Sequence, residues 1–389
     1  MRREDGKSAP LPYQHVVGWS LSVGRRSVWR MTNAFTVRQE QPSTTLTREQ
    51  FVARWSEQLR DSSFSEVAAA RDAVIEAAWK AYRKEEKNPR MVQAGPQFKH
   101  PEAEVPLDWL ETHRAIERAQ RAQADPNSRT RILIISGSMR TNQTCPSESP
   151  KTYRLAQLAR VELLADPAVE IDFLDLSVLT GEFGRVIYPC KACASTAMPL
   201  CHWPCSCYPN HNKGQVNDWM NELYPRWIAA HGVLMVTPVN WYQVPAGLKA
   251  MMDRLVCADG GNPDMTTTDG KDPVKAKQLE LAGWPYPRHL AGRTFGVIVH
   301  GDTVGVETLR RSLTDWASDL HLLPVDGAQL DRMIGYYEPY ATSHEALDAD
   351  TAIQAETRNV ARALLARTQE LRTGRCRAAS EAISDPRPK

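Results

Sequence analysis

Five of the eight cysteines in this 389-residue chain lie close together, at Cys190, Cys193, Cys201, Cys205 and Cys207. Clustered thiolates suit an iron–sulfur cluster or a tetrahedral zinc ion, and the softness of the ligands does not separate the two. Cysteines also pack in cores as small apolar residues. The spacing therefore predicts a [4Fe-4S]-type cluster, a zinc site or a loop without metal.

A second group of polar residues follows the apolar run from Ile132 to Ile135. The segment Gly137-Ser138-Met139-Arg140-Thr141-Asn142 offers backbone N–H groups, hydroxyl donors and a guanidinium, which together suit a phosphate monoester. It lacks the Gly-x4-Gly-Lys-Ser/Thr spacing of a P-loop. The alternative is a polar turn that carries a surface arginine.

A third group lies between Pro238 and Pro245. Asn240 can hydrogen-bond the edge of a heterocycle, and Trp241 and Tyr242 can cover a flat ring. The two prolines stiffen the loop, which lowers the entropic cost of binding. Because aromatic residues near loops more often pack in a core, the alternative is a structural role.

The segment His300-Gly301-Asp302-Thr303 follows another apolar run and forms a further candidate loop. Gly301 permits the close approach of a ring. His300 alone is more typical of a hydrogen-bonded structural histidine than of a catalyst.

The elements that position these loops alternate between short apolar runs and amphipathic segments, which predicts an α/β fold with a doubly wound, five-stranded parallel sheet. Its ligand site is expected beyond the carboxyl ends of the strands. The predicted strands are Ile132–Ile135, Val169–Leu174, Gly232–Val236, Phe295–Val299 and Leu322–Val325. The predicted helices of this domain are Lys151–Leu164, Val216–Ala230, Pro245–Leu255, Val304–Leu320 and Ala349–Arg372.

The chain divides by pattern into four parts. Residues 1–45 have no sustained period and predict a disordered tail. The predicted later parts are a helical extension at 46–128, the α/β domain at 129–372 with insertions at 177–215 and 258–293, and a tail at 373–389. Insertions of this length in a compact domain are usually functional or interfacial.

Composition narrows the class of protein. The hydrophobic fraction of 42% suffices for a sizeable core, and the net charge of +2 is not typical of a nucleic-acid-binding protein. No apolar run is long enough to span a membrane. The sequence predicts a cytoplasmic protein without nucleic-acid or membrane partners.

Two motifs carry a resemblance to a known family. Gly137 to Asn142 resembles the G-S-x-R-x-x-[SN] phosphate loop of flavodoxin-like NAD(P)H-dependent FMN reductases. Thr237 to Tyr242, with Gly247-Leu248-Lys249 and Asp253, resembles that family's second conserved block. The resemblance covers roughly residues 130–345, and it implies FMN as cofactor, NAD(P)H as co-substrate and a homo-oligomer, either a dimer or a tetramer.

The FMN ligands that the resemblance implies are Ser136, Ser138, Arg140 and Asn142 in the first loop, Pro238, Val239, Asn240, Trp241 and Tyr242 in the second, and His300, Gly301 and Asp302 in the third. The cysteine-rich loop resembles that of iron–sulfur flavoproteins, although its spacing is longer and it has a fifth cysteine.

The expected function is an FMN-dependent NAD(P)H oxidoreductase that passes electrons to a flat small-molecule acceptor: a quinone, an azo or nitro compound, or a flavin. Because the flavin carries the chemistry, no dedicated catalytic residue is expected. One alternative is an electron-transfer iron–sulfur flavoprotein that docks to a redox partner. Another is a zinc-stabilised binding module that has lost its flavin.

Overall fold

The computed structural model describes residues 41–84, 90–145, 147–302, 304–336 and 338–375. Most of the two predicted tails lies outside the described residues, as do Thr303 and Cys376. Among the described residues, no helix is both long and apolar enough to cross a bilayer.

Three helices and a short hairpin precede the main sheet. They are α1 (Arg48–Gln58), α2 (Ala68–Arg83), β1 (Met91–Gln93), β2 (Glu104–Pro106) and α3 (Leu107–Ala124). A capping box begins α1: the Thr47 side chain accepts from the Gln50 N–H, and the Gln50 side chain accepts from the Thr47 N–H. Phe51 of α1 is buried, with its ring 4.9 Å from that of Tyr82 in α2.

The hairpin β1–β2 was not predicted, since three-residue strands in a segment rich in proline and glycine leave no periodic signal.

The predicted five-stranded parallel sheet is confirmed, with the strand order β4-β3-β5-β6-β7. Its strands are β3 (Thr130–Ser136), β4 (Val169–Asp175), β5 (Gly232–Pro238), β6 (Thr294–Gly301) and β7 (Leu323–Met333). The helices around it are α4 (Lys151–Leu163), α5 (Val178–Gly181), α6 (Met220–Ala229), α7 (Ala246–Arg254), α8 (Pro273–Leu281), α9 (Val306–Asp319), α10 (Ser343–Ala349) and α11 (Thr351–Arg372).

The apolar run of β3 is continuous because helices cover both faces of the sheet. Ile132 and Ile134 belong to the core that contains residues of α4 and α11. Leu133 and Ile135 belong to the opposite core, with residues of α6 and α9. Successive side chains of a strand point to opposite faces, so both halves of the run are buried.

Two predicted boundaries were wrong. β7 has eleven residues rather than four, because it is an edge strand and its polar residues break the apolar run. α4 begins at Lys151, as predicted, and Pro150 is its N-cap in an extended conformation. α6 begins at Met220 rather than Val216, because the carboxylate of Asp218 is buried in an ion pair just before the helix.

Candidate functional site

Three neighbouring strands end side by side at one edge of the sheet. In the register of β3 with β5, Ser136 lies opposite Val236, and in that of β5 with β6, Pro238 lies opposite His300. The backbone N–H of Val239 donates to the carbonyl of His300 at 2.8 Å. The three polar loops predicted from sequence therefore start from adjacent positions.

These loops surround a cavity of about 340 Å³. The residues that line it are Ser138, Met139, Arg140, Glu148, Pro150, Lys151, Thr152, Pro238, Val239, Asn240, His300, Gly301, Asp302, Tyr340, Ser343 and His344. Its volume is within the range of about 300–1,000 Å³ that is typical of small-molecule sites.

One end of the cavity carries positive charge. The Arg140 guanidinium donates from Nη2 to the Glu148 carbonyl at 3.3 Å, while its buried Nε has no hydrogen-bond partner among the described residues. The Lys151 ammonium has a contact of 3.4 Å with the Ile334 carbonyl. Lys151 is also the first residue of α4, where backbone N–H groups lack helical partners. Together these donors suit an anion.

Burial lowers the pKa of two basic groups at this end. It lowers the pKa of Lys151, and the nearby Asp302 and Glu148 carboxylates partly offset that effect. The pKa of His344 is also lowered, chiefly by burial, with Lys151 and Arg140 acting in the same direction. A bound anion would offset this concentration of positive charge.

His300 joins two walls of the cavity. Its Nε2 lies 2.7 Å from the hydroxyl of Thr152, which links the end of β6 to the first turn of α4. Burial, with the Lys151 charge, lowers the pKa of His300 to about 3, so the ring is neutral at pH 7. The hydrogen bond agrees with the structural role preferred from sequence.

The aromatic loop adopts a strained turn. Asn240 and Gln243 exchange backbone hydrogen bonds of 2.8 and 3.0 Å, and Trp241 and Tyr242 between them have φ angles of +48° and +66°. Two successive residues with positive φ are typical of a type I′ turn, which normally prefers Asn and Gly. The side chains of Trp241 and Tyr242 are 94% and 61% exposed. Two bulky rings are thus presented to solvent beside the cavity wall at Asn240.

Two glycines fix the first two loops against each other. A Cβ at Gly137 would lie 2.9 Å from the Leu248 side chain, and one at Gly247 would lie 2.4 Å from the Met139 sulfur. Neither position has room for a side chain without a shift of its neighbours. The loop from Gly137 to Asn142 can therefore pack directly on α7.

The predicted site residues are only partly brought together. Eight of them line the cavity: Ser138, Arg140, Pro238, Val239, Asn240, His300, Gly301 and Asp302. The other four are not among its lining residues. Asn142 is exposed, Ser136 is buried with an unpartnered Oγ, and Trp241 and Tyr242 lie in the neighbouring turn. Their contacts with FMN stay predictions.

Sequence reasoning missed Lys151, Tyr340, Ser343 and His344. A lysine in the first turn of a helix opposes the helix macrodipole, and that mismatch was a usable signal for an anion site. The others come from a segment about 200 residues beyond the first loop and have no local pattern to mark them.

The cysteine loop has a different character. The sulfurs of Cys193 and Cys207 lie 3.5 Å apart, and Lys271 Nζ donates to them at 3.2 and 3.1 Å, respectively. No group of three or more His, Cys, Asp or Glu side chains in the described part of the chain is arranged to hold a metal ion. The predicted ligand set of five cysteines is therefore not assembled as one site, and an iron–sulfur cluster or zinc stays a prediction.

A family model described as NADPH-dependent FMN reductase matches residues 130–330, just over half of the chain. An iron–sulfur flavoprotein from Methanosarcina thermophila is 29% identical over 126 residues, which are 32% of this chain and 52% of that protein. The chain thus spans about half the length of this curated relative.

Two solved structures are similar in fold. RosB with a bound 8-demethyl-8-formylriboflavin-5'-phosphate intermediate is 12% identical, with a TM-score of 0.43 over 67% of this chain and 94% of that one. An azoreductase from Bacillus anthracis str. Sterne is 14% identical, with a TM-score of 0.35 over 60% of this chain and 98% of that one.

Proposed function

The chain belongs to the NADPH-dependent FMN reductase family, and from this premise we propose that it binds FMN in the cavity at the sheet edge and oxidises NAD(P)H. The observation that carries the proposal is the unpartnered Arg140 Nε, which lies with Lys151 at one end of a cavity whose other wall is the loop from Pro238 to Asn240. FMN held there supplies hydride acceptance from the nicotinamide and delivery of two electrons to an acceptor.

The residues present fit the cofactor. Arg140, Lys151, the Ser138 hydroxyl and the first turn of α4 would hold the phosphate, because they combine two cations with unpaired N–H donors. Pro238, Val239 and Asn240 would hold the ring, with Asn240 supplying an amide for its polar edge. The neutral His300 keeps the Thr152 side of the cavity in place without adding charge.

We propose a flat aromatic acceptor: a quinone, an azo or nitro compound, or a flavin. The strained turn supports this substrate class, because it holds two exposed rings beside the cavity at a cost in backbone energy. Trp241 and Tyr242 would stack on the acceptor and exclude water from it. The proposal includes a homo-oligomer and a cytoplasmic location, where unpaired cysteines are usual.

The test begins with the absorption spectrum of the purified full chain and titration of the flavin-free protein with FMN. We expect flavin absorption and saturable binding, which Arg140→Ala weakens. The matched control is Arg311→Ala, because Arg311 is exposed on α9 and does not line the cavity. Protein that neither contains nor binds FMN would end the proposal.

The second step measures NADH and NADPH oxidation with 1,4-benzoquinone, methyl red and riboflavin as acceptors. Trp241→Ala should raise KM for the acceptor, whereas Phe183→Ala, an exposed aromatic residue outside the cavity wall, should not. Turnover with a small acceptor also argues against a protein that serves only as an electron carrier to a redox partner. Flavin binding without any turnover would favour that alternative.

A further inference from the structure

The two insertions of the α/β domain meet at a pair of sulfurs. Cys193 and Cys207 come from the first insertion, and their sulfurs lie 3.5 Å apart. Lys271 comes from the second insertion. Its ammonium donates to both sulfurs and also to the Leu200 carbonyl, at 3.3 Å, which uses its three N–H donors.

This donor set does not fit a metal ion or cluster. The ammonium of Lys271 is in contact with both sulfurs and so carries the positive charge that a metal would supply to them. Two of the other cysteines have separate partners: Cys190 Sγ accepts from the Ala192 N–H at 3.3 Å, and Cys257 Sγ donates to the Arg254 carbonyl at 3.1 Å. Cys205 also interacts with Cys207 through its side chain. Cys193 and Cys207 are therefore the two sulfurs that share Lys271 as a counter-ion.

The exposure of the two sulfur-bearing residues differs. Cys193 is half-buried, in a turn that continues to Ser195, whereas Cys207 is buried. A small reagent can therefore reach Cys193 first, and Cys207 is already in contact with it. Closing a bond between them requires the sulfurs to approach by about 1.5 Å.

We propose that Cys193 and Cys207 are a thiol–disulfide exchange site that takes a low-molecular-weight disulfide as its oxidant. The Cys193 sulfur attacks one sulfur of the small disulfide, and the other sulfur leaves as a thiolate. Cys207 then attacks Cys193, loses its proton and releases the second small thiol. In sum, two protein thiols and one small disulfide become one protein disulfide and two small thiols. Excess small thiol reverses the reaction.

Lys271 acts as a positioning residue in this exchange. Its charge holds the two sulfurs together across the two insertions and stabilises the anionic sulfur that attacks or leaves. After oxidation the disulfide offers no anion, so Lys271 retains only the Leu200 carbonyl among these partners. The exchange therefore changes the contact between the insertions and does not depend on FMN.

The test uses the purified full chain, reduced and freed of reductant without air, then treated with glutathione disulfide. After an acid quench and alkylation, trypsin and chymotrypsin cleave beside Lys191, Leu200 and Lys213, which places the two cysteines on different peptides. We expect peptide 192–200 joined to peptide 201–213, with fragmentation assigning the link to Cys207 and the free thiol count of the protein lowered by two.

The control variants separate the exchange from a metal site. Cys193→Ser and Cys207→Ala should abolish the link, while Cys190→Ser, the same type of change three residues away, should keep it. Lys271→Gln should slow the link about tenfold or more, with an unchanged circular dichroism spectrum. Iron or zinc bound in stoichiometric amounts and lost in Cys190→Ser would overturn the proposal. So would a link from Cys193 to Cys201 or Cys205, or glutathione adducts without any link.

Discussion

The buried cations near the cysteine loop and those at the cavity differ in their partners. Near the cysteine loop, Arg254 at the end of α7 is fully buried against the carboxylate of Asp218. Lys271 contacts two sulfurs and a carbonyl there. At the cavity, the hydrogen-bond partners of Arg140 and Lys151 among the described residues are carbonyl oxygens, at 3.3 and 3.4 Å. Buried cations with close anionic partners hold a fold together, whereas buried cations without them are typical of a site that awaits an anion.

The largest effect is expected from Asp218→Asn. The substitution leaves the Arg254 guanidinium buried without its counter-charge and should lower the free energy of unfolding by about 3–5 kcal/mol. Urea denaturation of the apoprotein measures it, with Asp253→Asn, in an exposed pair with Lys249, as the control that should cost about 1 kcal/mol or less. Equal losses of unfolding free energy in both variants would show that the buried Asp218–Arg254 pair stabilises the fold no more than an exposed pair does.

Arg140→Ala should weaken FMN binding and leave the stability of the apoprotein unchanged. Its removal should weaken FMN binding by up to about a hundredfold, roughly 3 kcal/mol, because a charge-assisted contact to the phosphate is lost. The apoprotein should keep its stability, since no carboxylate pairs with Arg140 in the described structure. Fluorescence titration with FMN and urea denaturation of the same samples give the two values. A variant that loses stability but keeps its affinity would contradict the assignment.

Acid should destabilise the fold through His289. The ring of His289 stacks on that of Trp203, its Nε2–H donates to the Gly261 carbonyl at 2.9 Å, and burial lowers its pKa to about 4. A histidine with a lowered pKa binds a proton less well in the folded state than in the unfolded state. The stability that His289 contributes to the fold is therefore fully present above about pH 6.5 and is lost as the pH falls towards 4.

From pH 7 to pH 5 this one histidine should remove about 2 kcal/mol of stability. His289→Phe keeps a ring beside Trp203 but cannot titrate, and its stability should fall less over the same interval. Denaturation at the two pH values gives the difference. An identical fall in wild type and variant would show that His289 does not contribute to the acid sensitivity.

The smallest effect is expected from Trp241→Asn, and it has the opposite sign. Asn tolerates the positive φ of this turn position, so the free energy of unfolding should rise by about 1 kcal/mol. Turnover of aromatic acceptors should fall, because the exposed ring is gone. Ala at the same position is the control that removes the ring without suiting the turn. A loss of stability in the Asn variant would show that the ring, rather than the backbone, determines the energy there.

The sequence predicted the sheet because its signals are local. Ile132 to Ile135 is apolar on both faces, and the loops after β3, β5 and β6 carry polar residues where strands end. It could not place Lys271 on the sulfurs of Cys193 and Cys207, because that contact joins two insertions whose internal patterns are irregular. Nor could it predict that Trp241 and Tyr242 project into solvent, since the turn has an atypical sequence for its type.

The family model ends at residue 330, yet the cavity is also lined by Tyr340, Ser343 and His344, which lie beyond it. During synthesis, the loop from Gly137 to Asn142 leaves the ribosome about 200 residues before Tyr340, Ser343 and His344 do. In the proposed site, FMN would therefore meet an incomplete pocket throughout most of synthesis, and stable binding would follow the docking of the segment from Tyr340 to His344. Expression at limiting riboflavin should accordingly yield folded but flavin-free chains that take up FMN after translation is complete.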